Sequence, residues 1–414
     1  MTRGPSASDA GAAPLSAALA RVARGGTCAG CGGCAALAPG AVAMTDVAPG
    51  WLRPVQTAAL SAEQEAAIAA ICPGLVHEVA AEGRTDHDLW GPYVEMRTGW
   101  ATEAALRHRA ASGGALSALV AHLMESGRVE GVWQVAAGDP AWANRVRLSE
   151  DAGDVLEAAG SRYAPSAPLA GIGPALGAGR PLAFVGKPCD VAALRALSRR
   201  DPRVDRAFPV MVSFFCAGVP SGTGAEALLT KMGADPAAVT AFRYRGRGWP
   251  GHAVATLADG TERSMTYAAS WGEVLSKHVQ HRCKICPDGT GVDADIACAD
   301  AWIADDRGYP VFQEADGISL IVARTAKGQG VMAAAEAAGR IETRAFDVAG
   351  LKPIQPGQVR RRGALAARLA ALRATGRPVP RYRGLRVAAA ARQVPARFVL
   401  RNFLGMLRRS LRGG

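Results

Sequence analysis

Three of the chain's nine cysteines form one run, Cys28-Ala-Gly-Cys31-Gly-Gly-Cys34. Two-residue spacers gather three sulfurs round a compact centre. The glycines let the backbone turn and aim N–H groups at sulfur. A bacterial ferredoxin run continues with three residues, a fourth cysteine and a proline, and that cysteine serves the other cluster of a two-cluster protein. Here the position is Ala38, followed by Pro39. The proline is kept and the cysteine dropped, as expected where that second cluster is missing. A distant Cys-Pro then supplies the fourth thiolate, and Cys72-Pro73 is such a pair outside the cluster motifs. Thiolates are the soft ligands iron–sulfur clusters use. Zinc usually joins two paired knuckles, which three cysteines in one run fit poorly. The expectation for Cys28, Cys31, Cys34 and Cys72 is a [4Fe–4S] cluster, with zinc or a chance grouping as alternatives.

A second group is less self-evident. Cys283-Lys-Ile-Cys286-Pro287-Asp288 is one knuckle, a pattern shared by zinc, thiol-redox and iron–sulfur sites. Cys189 lies in Gly186-Lys187-Pro188-Cys189, after an apolar run, and Cys216 ends another. Cysteines at the C-terminal ends of neighbouring strands would point into one crevice, where α/β sheets bind ligands. Cys189, Cys216, Cys283 and Cys286 would give four thiolates for a second cluster. Inert buried cysteines are the alternative for Cys189 and Cys216, and Cys298 is left over as a spare.

The elements that must position these residues follow from pattern. The chain has 414 residues, 49% hydrophobic and 20% charged, which is ordinary for a globular protein and excludes wholesale disorder. No uncharged apolar run approaches the ~18 residues of a membrane-spanning helix. The first residues are small and polar, without the apolar core of a secretory signal. The expected compartment is the cytoplasm, whose reducing poise argues against disulfides. Residues 1–26 read as a loose leader. Ser61–Ala70 reads as a helix with an acidic first turn. Ala115–Met124 and Gly328–Ala338 read as further helices. Val129–Ala136, Pro181–Val185, Pro209–Phe215 and Asp316–Val322 read as strands. Gly171-Ile-Gly173-Pro-Ala-Leu-Gly177 brushes a dinucleotide fingerprint, but its spacing is too long and no strand leads in, so it reads as a loop. The fold class is α+β or α/β.

At this point the residues resemble a known family, the beta subunits of coenzyme F420 hydrogenases and dehydrogenases. It includes ferredoxin-dependent vinyl chlorophyllide reductases, 7-hydroxymethyl chlorophyll a reductase and many bacterial relatives among polysaccharide genes. The resemblance rests on blocks in order: the Cys28/Cys31/Cys34 run, Ile71-Cys72-Pro73-Gly74, Ala111-Ser112-Gly113-Gly114, Gly160–Ser166, Gly186–Cys189, Phe215-Cys216-Ala217-Gly218, Cys283–Asp288 with Ala294-Asp295-Ile296, and Gly317-Ile-Ser319 with Arg324-Thr325. It covers about Thr27 to Phe346.

The resemblance implies a flavoprotein with FAD and one or two [4Fe–4S] clusters. Its electrons would pass between ferredoxin or a deazaflavin and a small organic substrate. It implies a ferredoxin-like domain over residues 27–90 and a mixed α/β flavin domain with the second iron–sulfur site over 91–346. It puts Ser112, Gly113 and Gly114, at a helix start, at the flavin phosphates, with Arg109 pairing to them. Ser161 and Tyr163 become a second wall, with Gly186 and Pro188 beside them. Lys187 would stabilise negative charge on flavin or substrate, and His281 and Asp300 become candidate proton donors. Two departures stand out. Cys298-Ala occupies a position where relatives often carry Gly-Asp, and Ala35-Ala36-Leu37 argues against the vinyl reductase branch.

The charge is lopsided. The net formal charge is +12. Residues 348–414 hold fifteen Arg, one Lys and no acid, and subtracting that +16 leaves −4 for the rest. The expectation for 347–414 is an Arg-rich helical tail. Phe398, Val399, Phe403, Leu407 and Leu411 recur at roughly helical spacing, which suits an anionic membrane surface at its inner face or a partner enzyme. The aromatics do not interleave as a stacking platform would, so no nucleic acid is expected. Two other readings remain: a non-catalytic electron-transfer subunit of a larger complex, and a zinc-stabilised basic nucleic-acid adaptor.

Overall fold

The computed structural model describes residues 16–303, 305, 311 and 313–412. One eight-stranded mixed sheet organises the body. Its strands, in chain order, are β1 (Glu95–Ala101), β2 (Gly131–Ala137), β3 (Asn144–Ser149), β4 (Leu182–Gly186), β5 (Val210–Phe214), β6 (Ile296–Asp300), β7 (Ser319–Ala323) and β8 (Ile341–Ala345). The spatial order is β8-β1-β7-β6-β5-β4-β2-β3. The four central strands β6, β5, β4 and β2 run parallel. Antiparallel strands flank them on both sides. The short apolar runs read from the sequence are therefore strands, and β4 and β7 are buried along their whole length. Strands covered on both faces need such continuous apolar runs.

Helices supply the covers. They are α1 (Ala17–Gly25), α2 (Ala62–Ile71), α3 (Ala115–Glu125), α4 (Pro188–Ser198), α5 (Pro356–Ala374) and α6 (Ala396–Leu411). Leu119 and Leu123 of α3 pack with Val132, Val185, Val212 and Ile321 on one face of the sheet. Val191 and Leu194 of α4 pack with Leu182, Phe184 and Met211 on the other. The alternation Leu182, Ala183, Phe184, Val185 sends successive side chains to opposite faces. The helix expected after Ser61 forms as α2, and Ser61 and Gln64 close a reciprocal capping box. A three-stranded antiparallel sheet, Val239–Arg243, His252–Leu257 and Glu262–Thr266, stands beside the main one.

Three expectations are corrected. Within the leader 1–26, residues 1–15 lie outside the described residues, but Ala17–Gly25 is helical. Ser16 caps it, and Leu19 packs with Ile68 of α2. The segment read as a loop holds a short helix, Gly173–Ala178, started by a proline in its first turn. The residues 347–414 are no separate appendage. Arg381–Arg383 forms a parallel pair with Val76–Glu78, and Leu351 and Ile354 pack with Ala297, Ala299 and Leu320 of the sheet. Leu365, Leu369 and Leu372 of α5 pack with Ile285, beside the second cysteine group.

One buried tie is Arg362. It is 4% exposed. Its guanidinium donates to the carbonyls of Pro287, Asp88 and Leu385. Arg362→Leu leaves those buried acceptors unpaired, and the stability measured in denaturant should fall by about 2–4 kcal/mol. An unchanged midpoint would show that this anchor contributes nothing.

Candidate functional site

The first cysteine run turns tightly because Gly30 and Gly32 adopt positive φ (77° and 87°), which a side chain disfavours. Cys72 follows directly on α2 and is drawn to the same place. Burial raises the Cys28 thiol, lifts Cys31 well above its ordinary value and pushes Cys34 and Cys72 up to about 12. Like charge works in the same direction: Cys72 and Cys34 act on Cys31, Cys72 and Cys28 on Cys34, and Cys28 on Cys72. The four thiols therefore share one electrostatic neighbourhood. Backbone N–H groups approach the sulfurs, from Gly30 at Cys28, Gly33 at Cys31, Ala35 at Cys34, and Gly74 and Leu75 at Cys72. Arg53 and Arg282 add positive charge at Cys28.

The parallel pair β4–β5 sets up the second group. Cys189 lies one turn beyond β4, in the first turn of α4, and Cys216 follows β5. Cys216 and Cys286 act electrostatically on Cys189, and Cys283 and Cys286 on Cys216, whose thiol burial pushes up to about 12. All four predicted thiols are thus brought together. Arg361 of α5 donates to the Cys216 carbonyl at 2.8 Å and to that of Ala217. Gln358 donates to the same Cys216 carbonyl at 3.1 Å. The segment expected to stand apart therefore clamps this group.

Both donor sets fit a polynuclear iron–sulfur centre. Four buried thiolates would repel one another, and a cationic metal core removes that cost. Among the described residues, the trio that brings three such ligand atoms within 4.8 Å is His77, Asp288 and Asp293. A single tetrahedral zinc would hold its sulfurs closer, about 3.8 Å apart. That trio carries an internal role instead. His77 Nε2 meets Asp293 at 2.6 Å. The Asp288 carboxylate accepts from the N–H groups of Thr290, Gly291 and Val292 and from the Thr290 hydroxyl.

Between the two thiol groups lies a buried ion pair. Lys187 Nζ donates to Asp190 Oδ2 at 2.8 Å and to Ser166 Oγ at 2.8 Å. Burial alone would lower the Lys187 pKa, but Asp190 and the neighbouring thiols Cys189 and Cys216 raise it, so the ammonium stays charged. Asp190 also acts on Cys31 of the first group. Its Oδ1 is buried with no hydrogen-bond partner.

A cavity of about 290 Å³ opens beside this pair. Its wall includes Ser112 and Gly114, Ser161 and Tyr163, Gly186 and Lys187, and Cys216. Gly113 and Gly114 hold φ of 67° and 74°. A Cβ on Gly113 would sit 2.8 Å from the Gly317 carbonyl oxygen, so the turn into α3 needs glycine there. The aromatic rings of Tyr267, Trp271 and Trp302 complete the wall. A second cavity, about 260 Å³, shares Gly160, Ser161, Arg162 and Arg245 and is faced by Arg109, Arg243 and Arg247, whose charges outnumber those of Glu157 and Glu262 on the same wall. The two together present an aromatic chamber and a cationic one, dimensions and chemistry that fit a flavin dinucleotide.

The remaining predicted residues divide. Arg109 faces the cationic cavity rather than the aromatic one, and Pro188 opens the first turn of α4, after the cap residue Lys187, without lining either. Asp300 lines the aromatic cavity but is clamped. It accepts from Arg245 at 2.6 and 2.9 Å and from Trp249 Nε1 at 2.8 Å. Three donors commit it as a fixed acceptor, which corrects the proton-donor expectation. His281 lies outside both cavities, with its ring over Gly26. Burial and the cations Arg377, Lys284 and Arg282 push its pKa down to about 4. It is therefore neutral and remote, so its assignment as proton donor is corrected too. Cys298 is buried on β6 and lines the cavity, with its thiol pushed up to about 12 by burial. Sequence reasoning missed Asp190, Arg245, Gln358 and Arg361. Only Asp190 carried a signal, three residues after Lys187 at a helix start, where its carboxylate accepts the Lys187 N–H.

Residues 96–172 match the family model described as coenzyme F420 hydrogenase/dehydrogenase, beta subunit N-term, and residues 179–349 match its C-terminus counterpart. A curated relative, the F420-dependent formate dehydrogenase 1 subunit beta of Methanococcus maripaludis, is 26% identical over 262 residues. That match covers 62% of this chain and 63% of the relative's length. A chain in the structure of the F420-reducing [NiFe] hydrogenase complex from Methanosarcina barkeri superposes with TM-score 0.50 at 22% identity. It covers 67% of this chain and 95% of that one, and shows a shared fold.

The Arg245–Asp300 pair is open to direct test. Arg245 is 3% exposed, and its guanidinium lies 4.7 Å from the Tyr267 ring centre and 4.9 Å from that of Trp302. Asp300→Asn leaves this buried cation without its counter-charge. Stability in denaturant should drop by about 3 kcal/mol. A drop under about 0.5 kcal/mol, the range of an ordinary surface change, would show the pair is not structural.

Proposed function

The chain belongs to the coenzyme F420 hydrogenase/dehydrogenase beta-subunit family, and on that premise we propose that it is an iron–sulfur flavoprotein oxidoreductase. It passes electrons between ferredoxin, or a reduced deazaflavin, and a small organic substrate. The observation that carries this reading is Cys216, which belongs to a four-thiol group and also lines the aromatic cavity. Residues 27–90, with their hairpin Val42–Val47 and Trp51–Gln56, hold one [4Fe–4S] cluster through Cys28, Cys31, Cys34 and Cys72. Cys189, Cys216, Cys283 and Cys286 hold the second. The two cavities take FAD.

A bound flavin converts between the single electrons that clusters carry and the hydride that organic substrates exchange. The chain's own residues prepare the place. Gly113 and Gly114 bring the N-terminus of α3 to the cavity, where its unpaired N–H groups favour phosphate. Arg109, Arg243 and Arg247 add positive charge in the adjoining chamber. Tyr267, Trp271 and Trp302 give the cavity its apolar ring surface. Lys187 keeps a fixed positive charge at the wall, where it favours negative charge on whatever is reduced there.

A second reading is supported by the relatives: the formate dehydrogenase match is named a subunit, and the hydrogenase match sits in a complex. In that reading the chain feeds a larger assembly and carries no substrate chemistry itself. A stand-alone enzyme turns over one small acceptor with reduced ferredoxin, whereas a feeding subunit reduces only dyes.

The cluster assignment predicts a divided loss. In anaerobically purified protein, Cys72→Ser and Cys286→Ser should each lower iron content by roughly half, with loss of one cluster's paramagnetic signal. Full iron retention by either variant would show that its ligand set is wrongly drawn.

A further inference from the structure

The helix α6 has two apolar stripes, and the body uses one. Phe403, Met406 and Leu407 pack against Leu365, Leu369 and Leu372 of α5. Ser410 and Thr375 join hydroxyls at 2.6 Å, and Asn402 accepts from Arg368. The inner face is thereby spent, including two residues, Phe403 and Leu407, read from the sequence as the docking face. The outer face carries Leu400, Leu404 and Leu411, exposed by 58%, 53% and 71%. Among the described residues, the exposed leucines all stand on this one helix.

At 3.6 residues per turn these three leucines fall within an arc of about 40°. Arg397, Arg401, Arg408 and Arg412 occupy the next arc of roughly 60° on the same side. All four are exposed. A surface cavity beside them is lined by Arg360, Val394, Pro395, Arg397, Phe398 and Arg401. The Arg401 guanidinium lies 5.8 Å from the Phe398 ring centre. Residues 348–414 contain no Asp or Glu. Among the described residues, no ion pair involves Arg360, Arg397, Arg401, Arg408 or Arg412.

We propose that the outer face of α6 is a peripheral docking surface for an anionic lipid bilayer. The helix lies flat in the interface. Leu400, Leu404 and Leu411 enter the acyl boundary, and the arginine arc, with the cavity around Arg360, Arg397 and Arg401, receives lipid phosphates. This is the division of an interfacial amphipathic helix, with leucines on one arc and cations on the next. No described helix is long and apolar enough to cross a membrane, so the contact is peripheral. A phosphate backbone of nucleic acid would use the arginines but would leave the leucine stripe in water. An acidic protein would need no acyl-depth stripe of three leucines.

The test uses full-length holoprotein and co-sedimentation with unilamellar vesicles. Vesicles of mixed phosphatidylglycerol and phosphatidylcholine should bind it, and pure phosphatidylcholine should bind at least roughly tenfold less. About 0.5 M salt should weaken the anionic binding by a similar factor. Both L400S/L404S and R397E/R401E should cut binding by roughly tenfold. Their targets are exposed, so iron content and circular dichroism should match the parent. Three results would each overturn the proposal. They are no binding to the anionic vesicles, equal binding to neutral ones, and loss in the arginine variant while the leucine variant binds like the parent. The last would mark a purely electrostatic surface for an acidic protein or polyanion, and stronger binding to polyglutamate than to vesicles would do the same.

Discussion

Everything in this protein depends on crowding buried thiols that repel one another when ionised. Burial already pushes Cys34, Cys72 and Cys216 up to about 12. The surroundings answer with oriented N–H groups and with fixed cations. Arg53 and Arg282 stand at the first group, and Lys187 and Arg361 at the second. Lys187 is the pivotal one, because its partner Asp190 also acts on Cys31. One buried ion pair therefore touches both thiol groups and the cavity wall. Such a pair costs desolvation, and its place at this junction gives a functional reason for keeping it.

The same constraint explains the architecture around it. Parallel strands β4 and β5 end side by side, which puts Cys189 and Cys216 at one crevice. Cys283 sits on the one-turn helix His281–Lys284 and Cys286 just beyond its end, and so short an element needs pinning. Asp288 gathers the turn that follows, Gln358 and Arg362 bolt α5 onto that turn, and Arg361 ties α5 to the Cys216 carbonyl. The C-terminal region thus has two jobs on different faces. Its inner face completes the site, and its outer face carries the leucines and arginines of α6.

Much of the site was legible because cysteine chemistry is strict about type and spacing. The first run, the Cys72-Pro73 partner and the grouping of the other four all come together in space. The apolar runs of the sheet were equally legible, since buried parallel strands leave uninterrupted aliphatic stretches. What escaped depends on contacts far apart in sequence. Arg245 meets Asp300 across 55 residues, and nothing local to either marks the other. The sequence likewise does not show the three donors that hold Asp300 or the place of His281 outside both cavities, since each depends on distant partners. The C-terminal segment misled for a different reason. Arginine without any acid reads as solvated, yet Arg361 and Arg362 are consumed by backbone carbonyls, which carry no charge to see in a sequence.

The central claim is that two clusters and one flavin share this chain, with a flavin cavity walled by a cluster ligand. An anaerobic reductive titration of the purified protein, followed by absorption, tests it most directly. Two electrons for a flavin and one for each cluster give an uptake of about four per chain, with bleaching of both chromophores. A colourless protein that takes up none, with zinc in place of iron, would contradict the account.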